Sequence, residues 1–434
     1  MRVNVRDRVE GFFFAPAAPT NLGVVRAGLF SLTAWWALQE DVTRDAALAR
    51  VNWRPTSYFH LLGGPPSAGT LRAIQVALVV SALFAAAGLF SRAAQLVATP
   101  LAAYLLGFDS NFGKINHRSM LLVLLLFALL PARLGDGFSI DRLRVAARTR
   151  DGAPPAPDPR YRWPLALAQV CAVSVYFFAG VSKLVNGGPS WFTADSFRRF
   201  LYVRLDQLSS PPHAGLWLAD HPGIAQIAAI ASVAFELSVV LILIWPRLKL
   251  LVLPGIVVFH EMTRALVRID FTRTMMAALV PLVDYRAIGV WIRERARRPK
   301  FQLLIDGGCS MCRRTAAVLN AADPFDRVEL ADARDGAVLG RLRVDRTAAL
   351  EEMHLVSPSG RVRAGFDAYR RMTWLLPLAW PTAPFLYLPG VRPIGRRAYG
   401  RIARSRFPVL HCTSPSCTIG ERAENATVPA TQGE

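Results

Sequence analysis

The sequence predicts an α-helical polytopic membrane bundle of about eight spans, followed by a small α/β domain. Of the 434 residues, 53% are hydrophobic, and the apolar residues are clustered. No charged side chain interrupts the runs from Ala73 to Ser91 and from Ala93 to Gly107. After Lys300 the pattern changes to short apolar strands that alternate with helical segments. A soluble single domain is therefore excluded.

Each predicted span is long enough to cross about 30 Å of hydrocarbon with some tilt. We expect the spans near residues 20–39, 71–90, 93–108, 118–133, 163–185, 223–245, 249–268 and 272–291. We expect no cleavable signal peptide, because the first apolar run follows a mixed-charge stretch and continues as a span.

The chain carries 51 basic and 31 acidic residues, for a net charge of +20. The densest arginine runs, RLRVAARTR and WIRERARRPK, lie beside spans, where they would meet anionic lipid rather than nucleic acid. An even number of spans then puts both termini in the cytoplasm. Arginine is used in place of lysine almost throughout, which is typical of a GC-rich bacterial genome. We therefore expect a multi-pass protein of the bacterial inner membrane.

The C-terminal third has the order strand, helix, strand, hairpin, helix. FQLLID and RVELAD predict strands around the helix CRRTAAVLNAA, and MHLVSPSGRVRAG predicts a hairpin that turns at Ser359 and Gly360. A helix should follow from about Phe366. The predicted domains are residues 1–296 in the membrane, 297–412 outside it, and a disordered tail at 413–434.

The stretch TWLLPLAWPTAPFLYLPG combines aromatic residues and prolines with little charge. Its residues Trp374, Trp380 and Tyr387 would either rest at lipid headgroups or pack against the domain's own sheet.

Cys309 and Cys312 form a Cys-x-x-Cys pair where the first helix of this domain should begin. Unpaired backbone N–H groups and the helix dipole favour a thiolate there, so Cys309 would attack and Cys312 would resolve. The alternative is a zinc site completed by His411, Cys412 and Cys417. The strand–loop–helix context favours a redox dithiol and no metal.

Residues 301 to 412 resemble the DCC thiol-disulfide oxidoreductase family, whose pattern Asp306, Gly307, Cys309 and Cys312 match. The resemblance implies a thioredoxin-like fold and a thiol or peptide substrate. Many relatives carry proline after the first cysteine, where this chain has Ser310. No proline stands just before the MHLVS strand, where thioredoxins place a cis-proline.

Ionisable residues within spans are functional candidates, because charge in the hydrocarbon region is costly. The predicted topology brings Lys183, His117 and His260 towards the extracytoplasmic side. In an arginine-rich chain, Lys183 offers a pKa that burial can lower until the neutral amine acts as a base, although a lysine at a helix end also snorkels to the interface. The other candidates are expected to pair structurally: Arg26, Glu236, Glu261 and Arg264.

Residues 15 to 290 resemble the HTTM family, the membrane domain related to vitamin K-dependent gamma-carboxylase. The matching stretches are INHRSMLLVLLLFALLPA with GFSID, YFFAGVSKL, and FHEMTRALVRIDFTRTMM. The resemblance implies that Lys183 stands where the carboxylase has the base that deprotonates vitamin K hydroquinone. Asn116 and His117 match its Asn-His pair, and the histidine is implied in an assisting role. A quinone or hydroquinone is then the expected ligand of a pocket near His260. The carboxylase's large extracytoplasmic domain is missing, and Ser182 replaces its second lysine.

Three functions follow as hypotheses. The first is a cytoplasmic thiol-disulfide oxidoreductase joined to an HTTM bundle with a base site on the other side. The second is a quinol-using carboxylase- or epoxidase-like membrane enzyme. The third is a non-enzymatic maturation scaffold for a secreted peptide.

Overall fold

The computed structural model describes residues 5–48, 50–61, 63–113, 118–193, 195–295 and 299–409. Two compact units are present. The first comprises Met1–Gly135 with Ala156–Asp284, and the second comprises Asp136–Pro155 with Tyr285–Glu434. The predicted tail at 413–434 lies outside the described residues, as do His411, Cys412 and Cys417.

The described helices alternate between long apolar segments and shorter connecting ones. Up to residue 282 they are α1 (Val5–Phe14), α2 (Pro19–Gln39), α3 (Val42–Ala46), α4 (Ala68–Ala87), α5 (Ser91–Gly107), α6 (Met120–Leu129), α7 (Ile140–Thr149), α8 (Pro159–Gly187), α9 (Asp195–Asp206), α10 (His213–Asp220), α11 (Pro222–Ser238), α12 (Lys249–Val267) and α13 (Thr272–Leu282). The later helices are α14 (Tyr285–Arg295), α15 (Ser310–Ala321), α16 (Gly336–Leu342), α17 (Arg346–Glu351), α18 (Gly365–Leu375), α19 (Ala383–Leu386) and α20 (Val391–Val409). Short 3-10 segments lie at Arg50–Asn52, Ser57–Leu61, Phe108–Asn111, Gly188–Trp191, Val239–Leu243, Pro246–Leu248 and Pro377–Thr382.

The first unit is helical, and its longest apolar helices lie where spans were predicted. Among the described residues, four helical segments are long and apolar enough to cross a membrane: Ala68–Ala87, Pro159–Trp191, Pro222–Leu243 and Pro246–Val267. The predicted class, a helical membrane bundle followed by a small α/β domain, is confirmed.

The remaining predicted spans correspond to helices of unequal length. α2 has 21 residues and α5 has 17, whereas the apolar α6 has ten. The predicted span at 272–291 is interrupted, because α13 ends at Leu282 and α14 begins at Tyr285. Asp284 and the extended backbone of Val283 separate these helices, and α14 belongs to the second unit.

Helix α8 organises the first unit, since it contacts α1, α6, α11 and α13. Local sequence defines its start: Asp158 caps it by accepting from the backbone N–H of Arg160, and Pro159 occupies the first turn. α4 and α5 also pack together, where α4 buries Ala82 and Ala85. Small residues of this kind let apolar helices approach closely.

A four-stranded sheet forms the centre of the second unit. The strands are β1 (Phe301–Ile305), β2 (Val328–Asp332), β3 (His354–Val356) and β4 (Val362–Ala364). Their order is β2-β1-β3-β4, with β1 parallel to β2 and the other pairs antiparallel. This is the thioredoxin-like arrangement, and the predicted strands, hairpin and flanking helices are confirmed.

The two faces of the sheet carry separate apolar cores because strand side chains alternate. Leu303 and Leu355 pack with Met372 of α18 on one face. Leu304 and Val356 pack on the other face, with residues of α16 and α17.

Residues 136–155, predicted as a loop of the membrane domain, fold with the second unit. Leu143 of α7 packs against the core that contains Leu303. Gly152 is buried so closely against α15 that an added Cβ would lie 2.3 Å from the carbonyl oxygen of Ala317. The folded unit is thus larger than the predicted segment 297–412.

Candidate functional site

The two cysteines stand at the N-terminus of α15. Cys309 is the N-cap residue, and its backbone N–H donates to the carbonyl oxygen of Asp306 at 3.2 Å. Cys309 is fully buried, whereas Cys312 is partly exposed. The predicted helix start at the cysteines is confirmed. The attacking role predicted for Cys309 stays a prediction, and Cys312 is the more exposed of the two cysteines.

Two carboxylates at the ends of neighbouring parallel strands hold the loop before Cys309. Asp306 pairs with Arg334 at 2.8 Å between Oδ1 and Nε and accepts from the backbone N–H of Gly308. Asp332 accepts from the backbone N–H of Gly307 at 3.1 Å. A Cβ at Gly307 or Gly308 would collide with these same groups, at 2.5 Å from Asp332 and 1.4 Å from Arg334. A side chain at either glycine would require Asp332 or Arg334 to move away from this loop.

Cys312 lines a cavity of about 350 Å³. Most of its wall is apolar, with Met311 from α15, Phe366 from α18 and Ile402 from α20 among the lining residues. α20 is fixed at this cavity because the hydroxyl of Tyr399 accepts from the backbone N–H of Met353 at 3.1 Å. Sequence analysis missed this contribution, since α20 follows Cys312 by about 80 residues and its local pattern does not place it beside the dithiol.

Lys183 lies near the C-terminal end of α8 and contacts Glu236 of α11. Its Nζ is 2.6 Å from Oε1 and 2.5 Å from Oε2 of that carboxylate. The Glu236 side chain is 5% exposed and that of Lys183 25%. The expected structural pairing of Glu236 is confirmed, and its partner is the predicted base.

Gly180 makes this pair possible. A Cβ at Gly180 would lie 3.0 Å from the side chain of Leu237 and 3.3 Å from Cβ of Glu236, so α8 and α11 are in close contact there. Lys183 follows three residues later on the same face of the helix. The Ala-Gly-x-x-Lys pattern thus combines a helix contact with the amine that reaches across it.

His260 contacts Tyr176, with 2.9 Å between the imidazole Nε2 and the phenol oxygen. Tyr176 precedes Lys183 by two helical turns of α8, so both polar groups lie on one face. Tyr176 was not a candidate from the sequence, because a tyrosine in an aromatic run gives no signal. His117 and Asn116 lie outside the described residues, so the expected cluster of His117, Lys183 and His260 stays a prediction.

The remaining predicted polar groups in the bundle have structural partners. Arg26 is buried and donates to the carbonyl oxygens of Leu134 at 2.8 Å and Ala86 at 3.2 Å. Glu261 and Arg264 pair with each other at 2.5 Å. Within the described ranges, no group of three or more His, Cys, Asp or Glu side chains is placed to hold a metal ion.

A polytopic helical membrane unit followed by a thioredoxin-like unit with a helix-capping dithiol defines the class of this protein. Residues 14–286 match the model of the HTTM domain, and residues 303–411 match that of the DCC1-like thiol-disulfide oxidoreductase. The chain belongs to the HTTM family, with a DCC1-like domain fused after its membrane domain. Neither a curated protein nor a solved structure matches the chain.

Proposed function

We propose that the second unit is a thiol-disulfide oxidoreductase in which Cys312 makes the first contact with the substrate. The observation that carries this proposal is the accessible Cys312 in an apolar cavity beside the buried Cys309. The substrate class is a protein or peptide disulfide with an apolar flank, since the cavity wall offers mainly apolar surface.

The exchange proceeds in two steps. The Cys312 thiolate attacks one sulfur of the substrate disulfide, the substrate S–S bond breaks, and the departing thiolate takes up a proton. The Cys309 thiolate then attacks the sulfur of Cys312 and releases the second substrate thiol. Two electrons pass from the dithiol to the substrate, and the cysteines end as a disulfide. The reverse sequence oxidises a substrate dithiol.

Thione release from 2,2′-dithiodipyridine tests this order of attack. The full-length protein is reduced in detergent, in a background where Cys171, Cys412 and Cys417 are serine. We expect Cys309→Ser to react rapidly and retain a mixed disulfide on Cys312, and Cys312→Ser to react at least ~10-fold more slowly because its remaining thiol is buried. If Cys312→Ser instead forms the mixed disulfide as fast as Cys309→Ser, the assignment is reversed. If neither variant exceeds a denatured control, the redox function fails.

We further propose that this unit lies in the cytoplasm of a bacterium and that the membrane is the inner one. Two observations support the placement. The arginine-rich helix α7 folds with the C-terminal domain, so both lie on one side of the membrane. Positively charged segments next to spans favour the cytoplasmic side.

The second proposal concerns Lys183 as a proton acceptor on the opposite side. It is supported by the Glu236 carboxylate within hydrogen-bond distance of Nζ, because transfer of the ammonium proton to Glu236 leaves a neutral amine. The contact between Lys183 and Glu236 is the feature that supports this role.

A naphthoquinol, the acidic substrate that the HTTM resemblance implies, provides the test. With dissolved dioxygen as the electron acceptor, we expect purified protein to oxidise the naphthoquinol, Lys183→Ala to abolish the oxidation, and Glu236→Gln to slow it by about 100-fold. If Lys183→Ala leaves the oxidation intact, or if no naphthoquinol binds, the base role is wrong.

A further inference from the structure

A second cavity of the second unit, about 860 Å³ in volume, is strongly basic. Its charged lining consists of two carboxylates and six guanidinium groups: Glu352, Asp367, Arg361, Arg363, Arg370, Arg371, Arg392 and Arg396. We call it the arginine cavity. Such an excess of guanidinium groups favours a ligand that carries phosphate or carboxylate oxygens.

Asp367 fixes the positions of several of these guanidinium groups, and its single negative charge does not neutralise them. Its carboxylate accepts from Arg392 at 3.0 and 2.9 Å and from Arg396 at 3.1 Å, and Arg370 lies 3.8 Å away. One negative charge thus orders three positive ones. Arg370 is fixed further, since its Nε donates to the carbonyl oxygen of Leu386 and its guanidinium lies over the ring of Tyr387 at 4.1 Å. The cavity is therefore preorganised for an anion.

Exposed aromatic residues border the arginine cavity. Trp374 and Tyr387 line it and are 48% and 43% exposed, with their ring centroids 6.0 Å apart. Trp380 donates its indole N–H to the carbonyl oxygen of Trp374, and Phe385 is 69% exposed. We call Trp374, Trp380, Phe385 and Tyr387 the aromatic ridge. The sequence left two alternatives for these aromatic residues: contact with lipid headgroups, or packing against the domain's own sheet. Packing against the sheet does not explain why the side chains are exposed.

We propose that the arginine cavity binds the phosphate of an anionic phospholipid headgroup while the aromatic ridge rests at the headgroup level of the bilayer. A free phosphate compound or an acidic peptide would use the arginines and leave the ridge in water. A lipid surface uses both, because tryptophan and tyrosine favour the membrane interface and clustered arginines favour anionic lipid. α20 contributes Arg392 and Arg396 to the lining of the arginine cavity.

Hydrogen exchange of the full-length protein in nanodiscs tests the proposal. Nanodiscs of phosphatidylcholine alone are compared with nanodiscs that also contain phosphatidylglycerol. We expect peptides covering residues 361–374 and 387–400 to exchange about 10-fold more slowly with phosphatidylglycerol. The double variant Arg361→Gln/Arg363→Gln should lose this protection. The matched control Arg341→Gln/Arg346→Gln removes the same charge from α16 and α17, outside the cavity lining, and should keep it.

Three outcomes would overturn the proposal. Exchange that is equal in the two nanodiscs shows that the cavity does not bind the headgroup. An equal loss of protection in the control variant shows that the basic unit is attracted to anionic lipid in general, without a specific site. Protection by inorganic phosphate or by an oligoglutamate peptide in phosphatidylcholine nanodiscs, at the level seen with phosphatidylglycerol, identifies a soluble anion as the ligand. Matching melting temperatures of the variants and the wild type establish that loss of protection is not unfolding.

Discussion

Lys183 and Glu236 form an ion pair within the helix bundle. Either charge without its partner would be costly there. Transfer of an ammonium or a carboxylate group from water into a helix bundle carries a desolvation penalty, which the partner charge offsets only at short range. The 2.5 and 2.6 Å contacts with both carboxylate oxygens satisfy that condition. Removal of one partner therefore leaves an uncompensated charge.

We predict that Glu236→Gln lowers the free energy of unfolding of the full-length protein by about 3 kcal/mol. Lys183→Met/Glu236→Gln should cost less than the sum of the single changes, because the double variant removes both charges. Heat-induced loss of the monodisperse peak in size-exclusion chromatography measures the effect. Glu261→Gln is the matched control: its partner Arg264 is exposed, so we expect a much smaller loss than for Glu236→Gln. Additive single effects would contradict the pairing.

The order of the two cysteines illustrates what a sequence motif leaves open. The Cys-x-x-Cys spacing and the preceding strand correctly predict a helix that begins at the dithiol. They do not determine which sulfur is accessible, because that depends on α18 and α20, which cover the site from distant parts of the chain. Lys183 and Glu236 are likewise separated by 53 residues, so their contact has no local signal.

At the scale of elements, α20 is attached to α18 by Asp367. Contacts with Arg392 and Arg396 hold the pKa of this carboxyl group at about 2, below its ordinary value of 3.8. Because the pKa is depressed in the folded state, the stabilisation is present above about pH 4 and is lost as the pH falls from 4 towards 2.

We predict that protection of α20 amides, corrected for intrinsic exchange rates, falls severalfold between pH 4 and pH 2.5. Asp367→Asn removes the carboxylate at every pH, so it should show the reduced protection already at pH 4 and little further change. Asp326→Asn is the control, since Asp326 pairs with Lys300 at the surface. A wild-type level of protection in Asp367→Asn would show that apolar contacts alone hold the helix.

The four strands, the hairpin and the helices α15 and α18 of the second unit follow from local patterns, and the structure agrees with them. Gly360 has φ of +79°, which explains why the hairpin turns there. The bounds of this unit were harder to predict. Residues 136–155 look like an arginine-rich loop between spans, and only contacts with α15 reveal that they belong to the fold. The prediction of membrane spans has the same limit. Residues 272–291 form one apolar pattern, but the structure divides them between α13 and α14.

We predict that Gly152→Ala detaches residues 136–155 from α15. The added methyl group would lie 2.3 Å from the Ala317 carbonyl oxygen and 2.8 Å from Cβ of Asn320, so the backbone must move. We expect a loss of about 1–3 kcal/mol in the free energy of unfolding and faster hydrogen exchange in α15. Gly336→Ala is the control because the space around Gly336 is open. Unchanged exchange in α15 would mean that the segment does not stabilise the dithiol helix.

Within the second unit, the dithiol cavity and the arginine cavity share Glu352, Phe366 and Tyr399 as lining residues. If the arginine cavity holds a lipid headgroup, the dithiol acts close to the bilayer surface. A substrate disulfide with an apolar flank fits that position better than a small hydrophilic thiol. The helix α20 would then serve both sites, since Tyr399 and Arg396 are less than one turn apart.

The proposed placement of the second unit on the cytoplasmic side leads to the final prediction. α7 carries Arg142, Arg144 and Arg148, with Arg150 directly after it, and folds with residues 285–409, so a single orientation satisfies both segments. The segment after Lys183, up to the next apolar helix at Pro222, must then face the other side.

In a cysteine-free chain, we expect Ser209→Cys to react with a membrane-impermeant maleimide in intact spheroplasts. Ser359→Cys, in the exposed hairpin turn, should react only after permeabilisation. Labelling of both cysteines in intact spheroplasts, or of Ser359→Cys alone, would contradict the predicted topology and would place the dithiol and Lys183 on other sides than those we propose.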